Sequence, residues 1–512
     1  MESDQRKIGI VLSYIIMLLN ALISFAYIPI LLNFMGTNEY GLYQLMGSII
    51  AYISIMDFGL SSTIIKYYSQ YKTLNDKKNM ENILALSTII YTVITVILII
   101  VGMIVYFKLN TIFSDSLTSK EIISAKRIFI ILLINLAITI PSKIFDAVIT
   151  SNEKFIFLKS ITLIQIVMQP FVVVVVMIEY PSALAFVIVQ TAFNIFLVIA
   201  KIYYCFSKIH MKVKMHNFEK SLFNEMIKFS FFIFLTALMD QLLWRSNQII
   251  LGIVTNTATV AVYGLAFQIF SSYMSISTII TSVFLPRVTS LVTQESSTKV
   301  LSDLFIKIGR LQFLILSCVL SGFTLFGKQF IIILSGRGFS DAYIITLLLI
   351  IPFTIDLIQN IGVTILQAEN KVAFRSVVFL IISIVNIAVS IPAAIKYGAI
   401  GCAAVTGVTF FIGNAIIMNI YYSKNIHIDI PRFWKEIGKI ALPCLSCMGI
   451  GFLINIIPFG NLILNLILKI LLYMVVFVIA MWFFAMDSYE KGLLSNACHK
   501  FNNLFNKKKL PQ

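Results

Sequence analysis

Apolar stretches of 18 or more residues alternate with short polar connections from near residue 8 to residue 486. A helix that crosses a bilayer needs about 20 mostly apolar residues, so each stretch is long enough to do so. Runs and breakers together predict about fourteen helical spans: 8–33, 41–66, 83–107, 126–150, 155–178, 182–205, 228–254, 258–285, 303–326, 340–367, 372–395, 399–423, 437–458 and 461–486. The longest connections are roughly twenty residues, too short to hold a soluble domain.

Composition agrees with this reading. The 512 residues are 59% hydrophobic and 12% charged, with a mean hydropathy of +0.94. A soluble domain is about 25% charged, so the excess apolar surface calls for lipid as its solvent. The first run follows Glu2, Asp4, Arg6 and Lys7 and shows no small-residue cleavage site, which reads as a retained span and not a signal peptide.

The net charge of +16 raises nucleic acid as a partner, but its distribution argues against one. Lys and Arg gather in every second connection: Lys66, Lys72, Lys77 and Lys78; then Lys201, Lys208, Lys212, Lys214 and Lys220; then Lys424, Arg432, Lys435 and Lys439. The alternate connections near 34–40, 179–182, 255–258 and 459–461 contain neither. This is the positive-inside pattern, and it places both termini in the cytoplasm. The segment 108–127, with Lys108, Lys120, Lys126 and Arg127 on the expected outer side, is the exception.

Cys444 and Cys447 form a CxxC without a second ligand pair, which reads as helix packing and not a metal site. His210, His216, His427 and His499 all fall in expected cytoplasmic loops or the tail. No metal-ligand cluster, Walker loop or nucleophile–base constellation appears in the sequence, so a transporter is expected, not an enzyme.

The chain matches itself at a lag of about 210–225 residues. Tyr40-Gly-Leu and Tyr263-Gly-Leu each follow the first span of a half. Ile140-Pro141 with Asp146 in the fourth span corresponds to Ile351-Pro352 with Asp356 in the tenth. Two six-helix halves of the same orientation follow, related by an axis along the membrane normal, with the substrate path of such transporters between them. The expected divisions are 1–205 and 228–423 for the halves, 206–227 and 424–436 for cytoplasmic connections, 437–486 for two added helices, and 487–512 for a basic tail.

A charge at the bilayer centre costs about 2.5–3.5 kcal/mol on insertion scales, so charges kept there face a cavity or a partner. Within the spans stand Asp57, Lys143, Asp146, Asp240, Arg245 and Asp356. Read as one continuous helix, span 228–254 groups Asp240, Gln241, Arg245, Asn247 and Gln248 on a single polar arc of about 160°. That arc suits either a wet cavity or pairing with other helices. Lys143 and Asp146, three apart, can pair locally. Lys66, Lys159, Arg310 and Arg375 lie near inner helix ends, where long side chains reach back to the headgroups. Gln359 and Asn360 suit sugar hydroxyls or interhelical bonds equally, and Tyr27, Tyr52, Tyr263 and Trp244 suit sugar stacking or ordinary packing.

Four segments carry a family resemblance: Met56-Asp-Phe-Gly-Leu-Ser-Ser-Thr-Ile-Ile-Lys66; Ser246-Asn-Gln-Ile-Ile-Leu-Gly252 with Val262-Tyr-Gly-Leu-Ala266; Ile358-Gln-Asn-Ile-Gly through Lys371; and Tyr397-Gly-Ala-Ile-Gly-Cys-Ala-Ala404. In order and spacing the chain resembles the Wzx-type O-antigen and capsule repeat-unit flippases of the MOP exporter superfamily. The resemblance implies an all-α polytopic membrane protein of about fourteen transmembrane helices, with two MATE-like halves and two extra helices. It implies flipping of a polyprenyl-diphosphate-linked oligosaccharide from the inner to the outer face of a bacterial plasma membrane by alternating access. A polysaccharide polymerase and chain-length machinery are the implied partners, with no cofactor beyond a proton or sodium gradient.

Within that frame Arg245, Lys66, Gln241, Gln248 and Asn360 are the expected head-group contacts. Asp57, Asp240, Asp356 and Asp146 are the expected coupling or charge-balancing acids. Lys66 stands where many relatives have Arg, and Asn247 where many have Asp. The alternatives are a multidrug/cation antiporter of the same superfamily and, from another class, a membrane polymerase or glycosyltransferase.

Overall fold

In the computed structural model the described residues are 2–217, 220–293, 298–369, 371–458, 460–493 and 495. Among them the chain is helical throughout, with no strand. In order, the helices are α1 (Glu2–Ser54), α2 (Leu60–Thr73), α3 (Lys77–Phe113), α4 (Ser119–Ser151), α5 (Phe155–Glu179), α6 (Ala183–Ser207), α7 (Lys220–Trp244) and α8 (Ser246–Val254). There follow α9 (Thr257–Thr293), α10 (Thr298–Ser335), α11 (Asp341–Ile358), α12 (Asn360–Ala368), α13 (Val372–Phe410), α14 (Asn419–Asn425), α15 (Ile430–Ile456) and α16 (Leu462–Phe484).

Twelve helical segments are long and apolar enough to cross a membrane. Two of them, Tyr27–Thr73 with 47 residues and Ala373–Asn425 with 53, far exceed the length of a single crossing. Each contains a glycine outside helical geometry, Gly36 (φ 74°, ψ 172°) and Gly398 (φ 58°, ψ −140°). Glycine alone adopts such angles at little cost, so the chain turns there without strain. Counting each side of these two kinks as its own crossing is consistent with the fourteen or so spans expected from hydropathy. Large apolar side chains such as Ile456, Phe484 and Ile395 lie exposed on the helix surfaces, as lipid-facing residues do.

The chain forms two compact units, Met1–Gly264 with Ser383–Cys402, and Leu265–Ile382 with Ala403–Gln512. In the first, α4 packs against α1, α2, α3 and α6, while α5 packs on α1 and α6. Its connections sort cleanly to two ends. At one end Glu39 accepts from Ser124 and from the Ala183 amide at 3.0–3.1 Å. There too Thr257 donates to Glu121 at 2.8 Å, and Ser116 donates to the Gly252 carbonyl at 2.6 Å. At the other end Lys72 donates to the Ser151 carbonyl and His216 pairs with Glu81. The lysine-poor and lysine-rich connections thus separate as the charge pattern requires, and 108–127 ends among the former.

The helix starts follow capping chemistry. Thr118 and Glu121 cap α4 reciprocally, and Asp76 and Asp429 accept amide hydrogens at the starts of α3 and α15.

In the second unit α10 packs against α15, α16 and α11. Cys444 and Cys447 are buried in this core with Leu325, Phe326, Tyr473, Phe477 and Met481. The CxxC is therefore a pair of small packing residues on α15, as expected.

Arg310 departs from expectation. It does not reach to headgroups but lies 5% exposed, donating to Glu490 through two bonds of 2.9 Å and to Glu436 at 3.1 Å. The Ala485 carbonyl takes a further bond at 2.9 Å. Position near a helix end permits snorkelling only when no acid lies closer, and here two do.

A charged constellation and a cavity in the first unit

The second span breaks where its acid stands. Ile55–Asp57 forms a single 3-10 turn, after which Phe58 (φ 53°) and Gly59 (φ 62°) are both left-handed. Such angles strain phenylalanine, so neighbours must hold it there. Phe58 stacks on Phe234 of α7 with ring centroids 4.6 Å apart, and Ile233 packs against Gly59 so closely that any side chain there would collide. The break turns the Asp57 carboxylate towards α4.

Asp57 accepts from Lys143 at 2.7 Å. Its other oxygen is buried and has the buried Tyr91 hydroxyl beside it. The acid thus lies between an ammonium and a phenol hydroxyl, as a buried carboxylate requires.

One helical turn further along α4, Asp146 pairs with Lys201 of α6 at 2.8 Å. The expected local pair between Lys143 and Asp146 is therefore not formed. Residues three apart on a helix have β-carbons about 5–6 Å apart, and the 3-10 turn before α2 and helix α6 each offer an opposite charge within ion-pair distance. The result is a line of alternating charge across three helices, Asp57–Lys143 and Asp146–Lys201. Asn135, Thr139 and Asn194 add polar bonds between α4 and α6.

Beside Asp146 opens a cavity of about 700 Å³ between α1, α4 and α5, lined by Ser13, Thr150, Glu153, Lys159 and Thr162 with several apolar residues. Lys159 thus lines this cavity.

Span 228–254 is two helices, not the continuous one from which the polar arc was drawn. It breaks at Arg245 (φ −110°, ψ −18°), between Trp244 and Ser246. Beyond the break the polar residues turn into the unit. Ser246 bonds Tyr52, Gln248 accepts from Ser48, and Asn247 donates to the Tyr263 hydroxyl at 2.9 Å. These bonds between helices pin 246–248 in place, so Gln248 is engaged in packing, and Tyr52 and Tyr263 with it. Before the break Asp240 is exposed, and Gln241 has a buried Oε1 with no hydrogen-bond partner among the described residues. Arg245 is half-buried, with Tyr43 beside its guanidinium. Lys66 is exposed, its ammonium 4.9 Å from the Tyr67 ring.

In the second unit Asp356 pairs with Arg375 at 3.1 Å, and the Arg375 guanidinium lies 4.3 Å from the Phe379 ring. Arg375 was expected to reach headgroups and instead satisfies the acid. Gln359 donates to Asn419 at 2.7 Å, and Asn360 follows it as the first residue of α12.

Sequence reasoning missed Lys201 as a partner because it was counted among the topology lysines. The available signal was an in-span acid, Asp146, that needed a base within reach. The Tyr91 hydroxyl beside Asp57 had no signal in the sequence.

A helical membrane protein with twelve candidate spans among the described residues and charges aligned across its first unit is the architecture that the comparisons meet. The family described as "Polysaccharide biosynthesis protein" matches residues 7–292, and the chain belongs to that family. No curated protein sequence matches the chain. Among solved structures, the lipid II flippase MurJ in an inward closed conformation is similar, with a TM-score of 0.69 and 16% identity, covering 92% of this chain and 97% of that one. A multidrug resistance MATE family transporter of the MOP superfamily, in an inward-facing conformation, gives 0.65 and 11%, covering 82% and 99%. A eukaryotic MATE transporter gives 0.59 and 14%, covering 85% and 99%. At these identities the likeness concerns the fold, and the fold is that of MurJ and the MATE transporters.

Proposed function

We propose that this protein is a flippase that moves a polyprenyl-diphosphate-linked oligosaccharide repeat unit from the inner to the outer face of a bacterial plasma membrane, for O-antigen or capsule assembly. The observation that carries the reading is membership of a polysaccharide biosynthesis family on a fold that aligns with a lipid II flippase over 92% of the chain. The MATE transporters align over 82–85%. The wider match favours a fourteen-span carrier of a lipid-linked head group over a drug antiporter.

In this reading the diphosphate is drawn by Arg245, with Lys66 as a second cation and Gln241 and Asn360 as hydroxyl or amide partners. A guanidinium fork matches paired phosphate oxygens. Asp57, Asp146, Asp240 and Asp356 are the acids for a driving proton or sodium ion, and Asp57 is the strongest of them because it lies at a helix break between Lys143 and the Tyr91 hydroxyl. Alternating access carries the head group while the polyprenyl chain stays in lipid. Both termini face the cytoplasm, and a polymerase with its chain-length machinery takes the product on the far side.

The test is reconstitution of the purified protein in liposomes holding a fluorescent lipid-linked oligosaccharide in the inner leaflet. Arrival of the label in the outer leaflet, dependent on the protein, supports the reading. Efflux of organic cations without movement of the lipid-linked sugar would assign the chain to drug export.

A further inference from the structure

The basic segment 108–127 lies at the lysine-poor end of the first unit, against the charge pattern of its neighbours there. Its helices are long: α3 has 37 residues and α4 has 33. At 1.5 Å per residue they run about 50–55 Å, beyond the ~30 Å hydrocarbon core of a bilayer, so their joined ends cross the headgroup layer. Lys126 on α4 lies 5.3 Å from the Tyr106 ring on α3, which sets Lys126 and Arg127 level with Lys108. Lys108 and Arg127 are exposed and Lys126 is half-buried, so the three form a belt across the hairpin.

Exposed apolar side chains border this belt on both sides, Ile104 and Phe107 towards the span and Ile112 and Ile123 towards the turn. Cations set among exposed apolar residues belong to the membrane interface and not to open water. The carboxylates of the same end are placed elsewhere. Glu121 accepts from Thr118 and Thr257, and Asp115 from Ser114 in the turn. By helical rise these two acids stand about 8–10 Å beyond the belt, a Debye length away at physiological salt. Glu39 bonds Ser124, about 200° round α4 from Lys126. Among the described residues no carboxylate lies within ion-pair distance of Lys108, Lys126 or Arg127. The whole segment holds four cations and two carboxylates, a surplus of two positive charges, and the belt carries that surplus.

We propose that Lys108, Lys126 and Arg127 bind the headgroup phosphate of an anionic phospholipid in the leaflet that meets the lysine-poor end. Such a lipid offers phosphate to the cations and acyl chain to Ile104 and Phe107, whereas a soluble acidic partner would have to strip lipid from the apolar border. The turn of this hairpin also holds the α8–α9 connection, through Ser116 to the Gly252 carbonyl and Thr257 to Glu121, so a bound lipid braces that connection. The ligand is a lipid of the bilayer and not the transported head group, and the inference does not rest on the flippase reading.

The test places a reporter in the belt. Full-length Phe107→Trp protein is reconstituted in phosphatidylcholine vesicles carrying brominated phosphatidylglycerol or brominated phosphatidylcholine, and quenching is read against wild type, whose three tryptophans give the background. The reporter at 107 prefers phosphatidylglycerol about fivefold or more, the effect of one Lys or Arg near the bilayer surface. Val175→Trp, exposed on α5 within 160–200, a stretch without Lys or Arg, shows no preference. Lys108→Gln, Lys126→Gln and Arg127→Gln together abolish the preference at 107, and unchanged quenching by phosphatidylcholine shows that the variant is folded in the bilayer. Arg127→Gln alone lowers the preference in part, and Lys108→Arg with Lys126→Arg keeps it. Equal quenching at 107 by the two lipids, the same preference at Val175→Trp, or full preference in the triple variant overturns the proposal. Loss of the preference on adding glycerol phosphate at the lipid's concentration also overturns it, by making the belt a site for soluble anions.

Discussion

Two charge networks, the Arg310 clamp in the second unit and the Asp57–Lys143 pair in the first, handle burial in opposite ways. In the second, Arg310 and Glu490 are both sealed, with side chains 6% and 3% exposed, and five polar contacts leave the guanidinium with little unmet capacity. In the first, Lys143 and Asp57 are 35% and 14% exposed, and a cavity opens beside the next pair. A closed network fixes helices; an open one keeps capacity for a ligand or a proton. The comparison teaches that charge inside a membrane bundle is not by itself a mark of function. Whether the network closes is what separates the two roles.

That difference is testable by substitution. Arg310→Ala strands two acids among α10, α15 and the segment after α16, and removing one partner of a buried pair costs about 3–5 kcal/mol. Thermal unfolding in detergent should drop sharply and membrane abundance with it, while Arg310→Met with Glu490→Met recovers most of the loss. An Arg310→Ala protein of normal stability would mean that the clamp fixes nothing.

Asp57→Asn should behave the other way. Its pair is partly solvated, so stability changes by about 1 kcal/mol or less. Lipid-linked sugar transport should fall more than tenfold, and the exchange Asp57→Lys with Lys143→Asp should restore the pair without restoring transport. A stable Asp57→Asn protein with full transport would reduce the first unit's pair to scaffolding and erase the contrast.

Much of the architecture was legible from one-dimensional pattern. Apolar run length gave the spans, and the alternation of lysine gave the two ends at which Glu39–Ala183 and Glu81–His216 are found. Such features depend on each residue's own transfer energy, which sequence records directly. The choice of ion partner is different. Lys143 passes over Asp146 for Asp57, and Arg310 and Arg375 turn inwards to acids far away in sequence, because packing decides which charges come within reach. The break at Arg245 was invisible for the same reason. No proline or glycine marks it, and the bonds that hold it come from Ser48, Tyr52 and Tyr263 on other helices.

That break supplies the subtlest test of the contrast, because it joins both behaviours within four residues. Ser246, Asn247 and Gln248 are buried and each bonds a side chain on another helix, although the Gln248 amide nitrogen is buried without a partner among the described residues. Arg245 stays half-buried beside Tyr43, in the manner of the first unit's open network. Arg245→Ala should therefore lower glycan export several-fold at unchanged abundance, with Arg245→Lys restoring part, since an ammonium keeps the charge but not the two-pronged geometry. Gln248→Ala removes a buried bond between helices while Ser48 keeps its bond to the Gln44 carbonyl, so it costs about 1 kcal/mol from that bond and should appear as reduced thermal stability. Surface glycan and protein abundance, measured together for the three variants, separate the roles. Normal export by an equally abundant Arg245→Ala protein would place Arg245 with its packed neighbours and remove it from the head-group path.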